Sequence, residues 1–168
     1  MYTQLKVIYL AGGCFWGVEA YISRLKGVNQ TEVGYANGTD LAPTYEKVCS
    51  GKTGHSECVK LTYNPNIITL DELLENFFKI IDPYTKNRQG PDIGTQYRTG
   101  IYWQDDLQKD VVLNFLKEKQ KVSPKKIVVE AKPINSFFTA EEYHQKYLVK
   151  NPGGYCHIPK TMFELEQE

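Results

Sequence analysis

Short apolar runs and amphipathic stretches alternate unevenly along the chain. The run "LKVIYLAGG" from Leu5 is apolar and closed by glycines, which predicts a buried strand feeding a turn. Directly after it, Cys14, Val18, Tyr21, Ile22 and Leu25 recur at helical spacing, so an amphipathic helix ends before Gly27 and Cys14 stands at its N-terminus. "VNQTEVGY" and "ECVKLTY" read as strands, joined by the long loop "ANGTDLAPTYEKVCSGKTGH". Loops of that length inside a compact domain are usually functional. In "TLDELLENFFKIID", Thr69 and Glu72 form a capping box and Pro83 supplies a stop, which predicts a helix. A second long loop from Tyr84 to Gly100 leads into a short strand "IYW", a helix near Asp106 to Gln120 and a strand "KIVVEAKPI". "TAEEYHQKYLVK" opens with the same cap chemistry, Thr139 and Glu142, and predicts a further helix ending at "NPGG". The remaining "YCHIPKTMFELEQE" has little periodicity.

These elements predict an α+β (α/β two-layer) sandwich, a mixed sheet with helices packed on it and long loops gathered at one edge. No repeat, low-complexity tract or internal boundary interrupts the sequence, so residues 1–168 are expected to form a single domain with an irregular tail over 150–168. At 168 residues such a chain buries about two thirds of its unfolded surface. Its formal net charge is zero, which gives no electrostatic footprint for nucleic acid. The apolar run before Cys14 is too short for a signal peptide or a bilayer span, so "LAGGC" is not read as a lipoprotein site and the expected location is cytoplasmic, with no membrane partner.

Four cysteines, Cys14, Cys49, Cys58 and Cys156, occur without a CxxC pair or an export signal, which favours chemistry or burial over a disulfide framework. Their spacing with His55 and His157 matches no zinc pattern, and no metal is expected. A helix N-terminus favours thiolate over thiol, so Cys14 is a candidate nucleophile with an expected lowered pKa; otherwise it is a small residue tolerated at a tight turn. Phe15 and Trp16 either staple the helix to the sheet or form an apolar cradle beside the sulfur. Strand alternation puts Glu57 on the same face as Val59, Leu61 and Tyr63. There its pKa would rise toward that of a proton donor near neutral pH, unless the strand end is frayed and solvated. Of the twelve tyrosines, Tyr45 and Tyr97 lie best in the two long loops to donate a neutral hydroxyl. Cys156 comes after a glycine break in a tail expected to be exposed and mobile, either to reach a partner thiol or as a leftover surface cysteine.

With these residues in view, the sequence resembles the A-type peptide methionine sulfoxide reductases, through "GCFWGVE", "GYANG", "PTYEKVCSGKTGHSE", "NRQGPDIGTQYR", "EEYHQKYL" and "NPGGYC" in order and spacing. The resemblance implies a ferredoxin-like core and a catalytic set of Cys14 as nucleophile, Glu57 as proton donor, and Tyr45 and Tyr97 as donors to the sulfoxide oxygen. Phe15 and Trp16 would hold the substrate methyl group, and Asp92 would help bind substrate main chain. It also implies that a sulfenic acid on Cys14 is resolved by Cys156 and the disulfide reopened by thioredoxin, with no bound cofactor. The expected substrate is methionine-S-sulfoxide, free or in oxidised proteins, and the expected state is a monomer.

Cys58, where relatives commonly carry a small residue, leaves open an off-path disulfide with Cys14 or Cys156. Cys49 is read as buried packing. No role is assigned to His55, Arg88 or His144. Two other readings share these residues: a thiol hydrolase with His144 or His157 as base, and a peptide-binding groove without turnover.

Overall fold

A computed structural model describes residues 4–163. β1 (Lys6–Gly12) runs through the middle of a six-stranded sheet, which its unbroken apolar sequence requires, since both of its faces are covered. α1 (Phe15–Ile22) comes next, then β2 (Val28–Ala36), α2 (Tyr45–Cys49), β3 (Ser56–Tyr63) and α3 (Leu70–Phe78). β4 (Arg88–Gln89) and β5 (Asp92–Ile93) make a small separate hairpin. β6 (Thr99–Trp103), α4 (Asp106–Val122), β7 (Glu130–Pro133), β8 (Phe137–Thr139) and α5 (Tyr147–Lys150) complete the order.

The sheet order is β7-β6-β1-β3-β2-β8, antiparallel throughout except for the parallel β6–β7 pair. Its inner strands β6-β1-β3-β2, linked through α1 and α3, form a βαββαβ unit of ferredoxin-like order. The expected α+β mixed sheet is therefore what the chain adopts. Ile8, Leu10, Val33, Val59, Leu61 and Ile101 join Val18 and Ile22 of α1, Leu73 and Phe77 of α3, and Val112 of α4 in the main core. A smaller cluster of Tyr9, Ala11, Ala36, Cys58 and Tyr102 takes the alternate strand positions.

Thr69 caps α3 as predicted: Glu72 N–H donates to Thr69 Oγ1 at 3.1 Å, and the Glu72 carboxylate accepts from the Thr69 hydroxyl rather than from its amide. α3 nevertheless stops at Phe78, ahead of Pro83, because the Lys79 and Ile80 amides turn back to the Asn76 and Phe77 carbonyls in three-residue steps. The loop after β2 contains α2, capped by Thr44. The long strand expected from "KIVVEAKPI" shortens to Glu130–Pro133.

The helix expected from Thr139 is replaced by other structure. Thr139 closes β8 opposite Gly34 and donates its hydroxyl to Glu32, while the exposed Glu142 pairs with Lys150. The cap residues are committed elsewhere because the edge of β2 accepts a strand there. The chain continues instead through a 3-10 turn over Glu142–His144 and the single turn α5, separated by Lys146 at φ 53°. No helix among the described residues is long and apolar enough to cross a membrane.

Candidate active site

Antiparallel order brings the C-terminal ends of β1 and β2 to the same edge of the sheet as the N-terminal ends of β3 and β6. Tyr35 of β2 pairs with Glu57 of β3, and Gly12 of β1 with Thr99 of β6. Cys14 leaves β1 at this edge, Tyr45 heads α2, Asp92 lies in β5 and Tyr97 ends the 3-10 turn before β6.

Gly13, at φ 90°, makes the turn that delivers Cys14 to the start of α1. The first N–H groups of a helix have no partner within it. Here Phe15 N–H donates to Glu57 Oε1 at 3.1 Å, while the Cys14 side chain makes no capping hydrogen bond of its own and the Trp16 and Gly17 amides only favour its ionised form. The helix start thus ties the Glu57 carboxyl to the residue next to Cys14, which brings Cys14 and Glu57 together. The expected depression of the Cys14 pKa is not found. The residue is 6% exposed, and burial, with Glu57 and Asp92 adding to it, drives the thiol well above its ordinary value against the two amides. The resting sulfur is a thiol.

Glu57 is 1% exposed, and burial raises its carboxyl to about 8, with the Phe15 amide opposing and Asp92 reinforcing. At neutral pH it holds its proton. Its Oε2 is buried with no protein partner among the described residues. Tyr45 and Tyr97 are both pushed up, by burial first and by Glu57 second, so each keeps its hydroxyl proton beside that carboxyl. The Tyr45 phenol donates to the Cys49 sulfur. Cys49 is therefore not the buried packing residue expected: it is exposed, and it borders the site because the unexpected α2 turns it outward beside Tyr45.

Phe15 lies in the core, with its ring 5.8 Å from Tyr35 and 5.2 Å from His144. Trp16 stacks on Tyr147 at 3.8 Å and donates its indole N–H to His144 Nδ1 at 2.9 Å. His144, to which the sequence alone assigns no role, is fully buried, and burial lowers its pKa so that it is a neutral imidazole. Its neighbours carry the rest of the wall. Glu141 accepts from the Tyr35 hydroxyl at 2.6 Å and from the Tyr45 amide at 3.0 Å. Burial raises that carboxyl, but these bonds outweigh it and hold it ionised. Gln145 exchanges two bonds with the Val33 backbone, and the Lys146 amide donates to buried Glu19 of α1 at 2.8 Å. The sequence signal for all of this is the motif "EEYHQKYL", whose successive polar residues reach different elements.

Asp92 accepts from the Tyr155 hydroxyl at 3.0 Å. That contact draws the tail across the site, so Cys156 is partly buried rather than loose, packed against Gly17 of α1. Beyond Cys156 an apolar groove of about 530 Å³ opens between α1, α5 and the tail, lined by Ala20, Leu148, Val149, Pro152, Ile158 and Phe163. Cys58 is fully buried with Tyr9 and Tyr102, its thiol raised by burial, on alternate strand positions to Glu57. The off-path disulfide left open for it has no geometry to form. His55 is 1% exposed and packs edge-on to Phe138; the exposed Arg88 bonds the Gly90 carbonyl. Among the described residues, no three His, Cys, Asp or Glu side chains are grouped to hold a metal ion.

A buried cysteine at a helix start, with a protonated carboxyl and two phenols against it, is the equipment of a thiol enzyme. The family model for Peptide methionine sulfoxide reductase matches residues 6–167. The chain belongs to that family. It is 56% identical over 154 residues to Peptide methionine sulfoxide reductase MsrA of Clostridium botulinum (strain Okra / Type B1), covering 92% of this chain and 98% of the relative. Among solved structures it is similar to the reduced form of Mxr1 from Saccharomyces cerevisiae, with a TM-score of 0.86 and 43% identity over 91% of this chain and 89% of that one. It is also similar to Mxr1 in complex with Trx2, with a TM-score of 0.62 and 32% identity over 88% and 87% of the two chains.

Proposed function

We propose that this chain reduces methionine-S-sulfoxide, free or in oxidised proteins, to methionine through Cys14 and Glu57. The carrying observation is the Phe15 amide that holds the Glu57 carboxyl beside the neighbouring Cys14, with the carboxyl protonated at neutral pH. A neutral sulfoxide is a poor electrophile until its oxygen is protonated or strongly hydrogen-bonded. Glu57 supplies that proton, and Tyr45 and Tyr97 donate to the same oxygen, Tyr45 leaving the weaker sulfur acceptor of Cys49. As the Cys14 sulfur attacks, its own proton passes to the Glu57 carboxylate, so thiol and sulfoxide become sulfenic acid and methionine with the acid restored.

The raised pKa of Cys14 fits this sequence, because the thiolate is needed only once Glu57 has given up its proton. Phe15 and the Trp16 indole, fixed by His144 and Tyr147, form an apolar wall suited to the substrate methyl, and Asp92 accepts from the substrate main chain in exchange for Tyr155. Cys156, one helical turn from Cys14 along α1, condenses with the sulfenic acid. Thioredoxin then reopens the disulfide by exchange at Cys156 from the neighbouring groove, as the solved complex of a relative with Trx2 supports.

Reduced protein mixed with either methionine sulfoxide diastereomer and no reductant tests the reading. One methionine per chain and two thiols consumed is expected with the S form, and none with the R form. In Cys156→Ser the single methionine should remain and thioredoxin-driven turnover should stop. No methionine from either diastereomer would overturn the function.

A further inference from the structure

Resting on that reading, we infer that His157 is the general base of the resolving step, taking the proton from Cys156 as its sulfur attacks the sulfenic acid on Cys14. Gly17 lies three residues after Cys14 on α1, and the point where its Cβ would stand lies 3.0 Å from Cys156 Sγ and 3.3 Å from His157 Nδ1. The bare Cα of this helical glycine lets the tail seat closely, and a Cβ there would force the thiol and the imidazole to give by a few tenths of an ångström.

The tautomer is fixed by the fold. His157 Nε2 is 3.1 Å from the Gly12 carbonyl oxygen, which can only accept, so Nε2 carries the proton and Nδ1 presents its lone pair. Nδ1 is buried and has no hydrogen-bond partner among the described residues. A buried imidazole nitrogen without a donor, sharing a notch with a thiol, is placed to accept that thiol's proton. Burial also lowers the His157 pKa, which keeps the ring neutral and available at pH 7. The Ile158 amide donates to the Cys156 sulfur and supports the thiolate as it forms.

The step balances without another reactant. His157 Nδ1 takes the Cys156 proton, the Cys156–Cys14 sulfur bond forms as the sulfenic S–O bond breaks, and the proton returns from Nδ1 to the departing hydroxide as water. Both sulfurs end one electron more oxidised than thiols and the imidazole is regenerated. His157 is one of the two imidazoles that a hydrolase reading would pair with Cys14; its open nitrogen instead shares the notch at Gly17 with Cys156.

His157→Gln tests this, because the amide can still donate to the Gly12 carbonyl but has no basicity. After one turnover with methionine-S-sulfoxide and no thioredoxin, the disulfide should form about a hundredfold more slowly than in the natural protein. Sulfenic acid trapped by dimedone and weighed by mass spectrometry should accumulate in its place. The methionine burst is the reference: it reports the first step, so its absence in the natural protein would strike the proposed function and not this inference. The rate of disulfide formation against pH carries a second readout. In the natural protein it should fall below an inflection that belongs to His157, which Asp92 faces; the nearby Tyr155 hydroxyl and the Cys14 and Cys156 thiols are all pushed up by burial and titrate above it. That inflection should vanish in His157→Gln and in His157→Asn. Disulfide formation at the natural rate in both variants, or a slower rate that keeps the same inflection, would overturn the assignment.

Discussion

Glu57 is 1% exposed in a paired strand, and the cost of ionising it there appears as a pKa of about 8. Between the ordinary carboxyl value and about 8 the unfolded chain has lost this proton and the folded chain has kept it, so stability falls as pH rises through that window. Glu57→Gln keeps an acceptor for the Phe15 amide and cannot ionise. Denaturant unfolding at pH 5 and pH 9 should therefore show the natural protein losing on the order of a few kcal/mol more than the variant. An equal loss in both would place Glu57 in contact with solvent. The stabler variant should also be the inactive one, which is the expected trade at a site that buries an acid. Among single residues, the strand period made Glu57 legible, because burial of one face follows from alternation. The Cys14 pKa was not legible: a helix start predicts a lowered value, and the burial that reverses it, with Glu57 and Asp92 adding to it, depends on parts of the chain distant in sequence.

Elements divide into those that stabilise and those that aim side chains. Thr69 caps α3, away from the site, so Thr69→Ala should lower stability by about 1 kcal/mol and leave kcat/KM for sulfoxide unchanged. α2 is different. Its first residue is held by Glu141, whose two oxygens take the Tyr35 hydroxyl and the Tyr45 amide. Bonds to a charged group contribute roughly 1.5–3 kcal/mol, so Glu141→Ala should reduce kcat/KM about ten- to hundredfold by releasing Tyr45. Steady-state assay with methionine-S-sulfoxide decides it, and an unchanged value would show that α2 holds its place without that carboxylate. Helices with local start signals, Thr69 for α3 and the aspartate start near Asp106 for α4, could be read from sequence, and the structure caps α4 with Asp105. The segment after Thr139 carried the same local signal and adopted other structure, because the open edge of β2 gained a strand and the side chains of Glu141, Gln145 and Lys146 had long-range partners. Local cap chemistry does not report on partners that arrive from across the sheet.

At the scale of the whole molecule, antiparallel topology does the assembling. Residues as far apart as Cys14, Glu57 and Tyr97 converge because alternate strands end at one edge of the sheet, and the tail closes over that edge through Tyr155 and Asp92. The layer architecture was legible from the run of elements, while the pairing of β8 with β2, the short hairpin β4–β5 and the seating of Cys156 depend on contacts between distant parts of the chain. The most direct measurement is the rate of methionine formation in a single turnover against pH, in the natural protein and in Glu57→Gln. The expected profile is level near neutrality and falls about tenfold per unit above pH 8, as Glu57 loses the proton that the sulfoxide oxygen needs. The variant should be at least about a hundredfold slower, with no break near pH 8. A natural rate that climbs through pH 8, or a variant as fast as the natural protein, would contradict proton donation by Glu57 to the oxygen that Cys14 displaces.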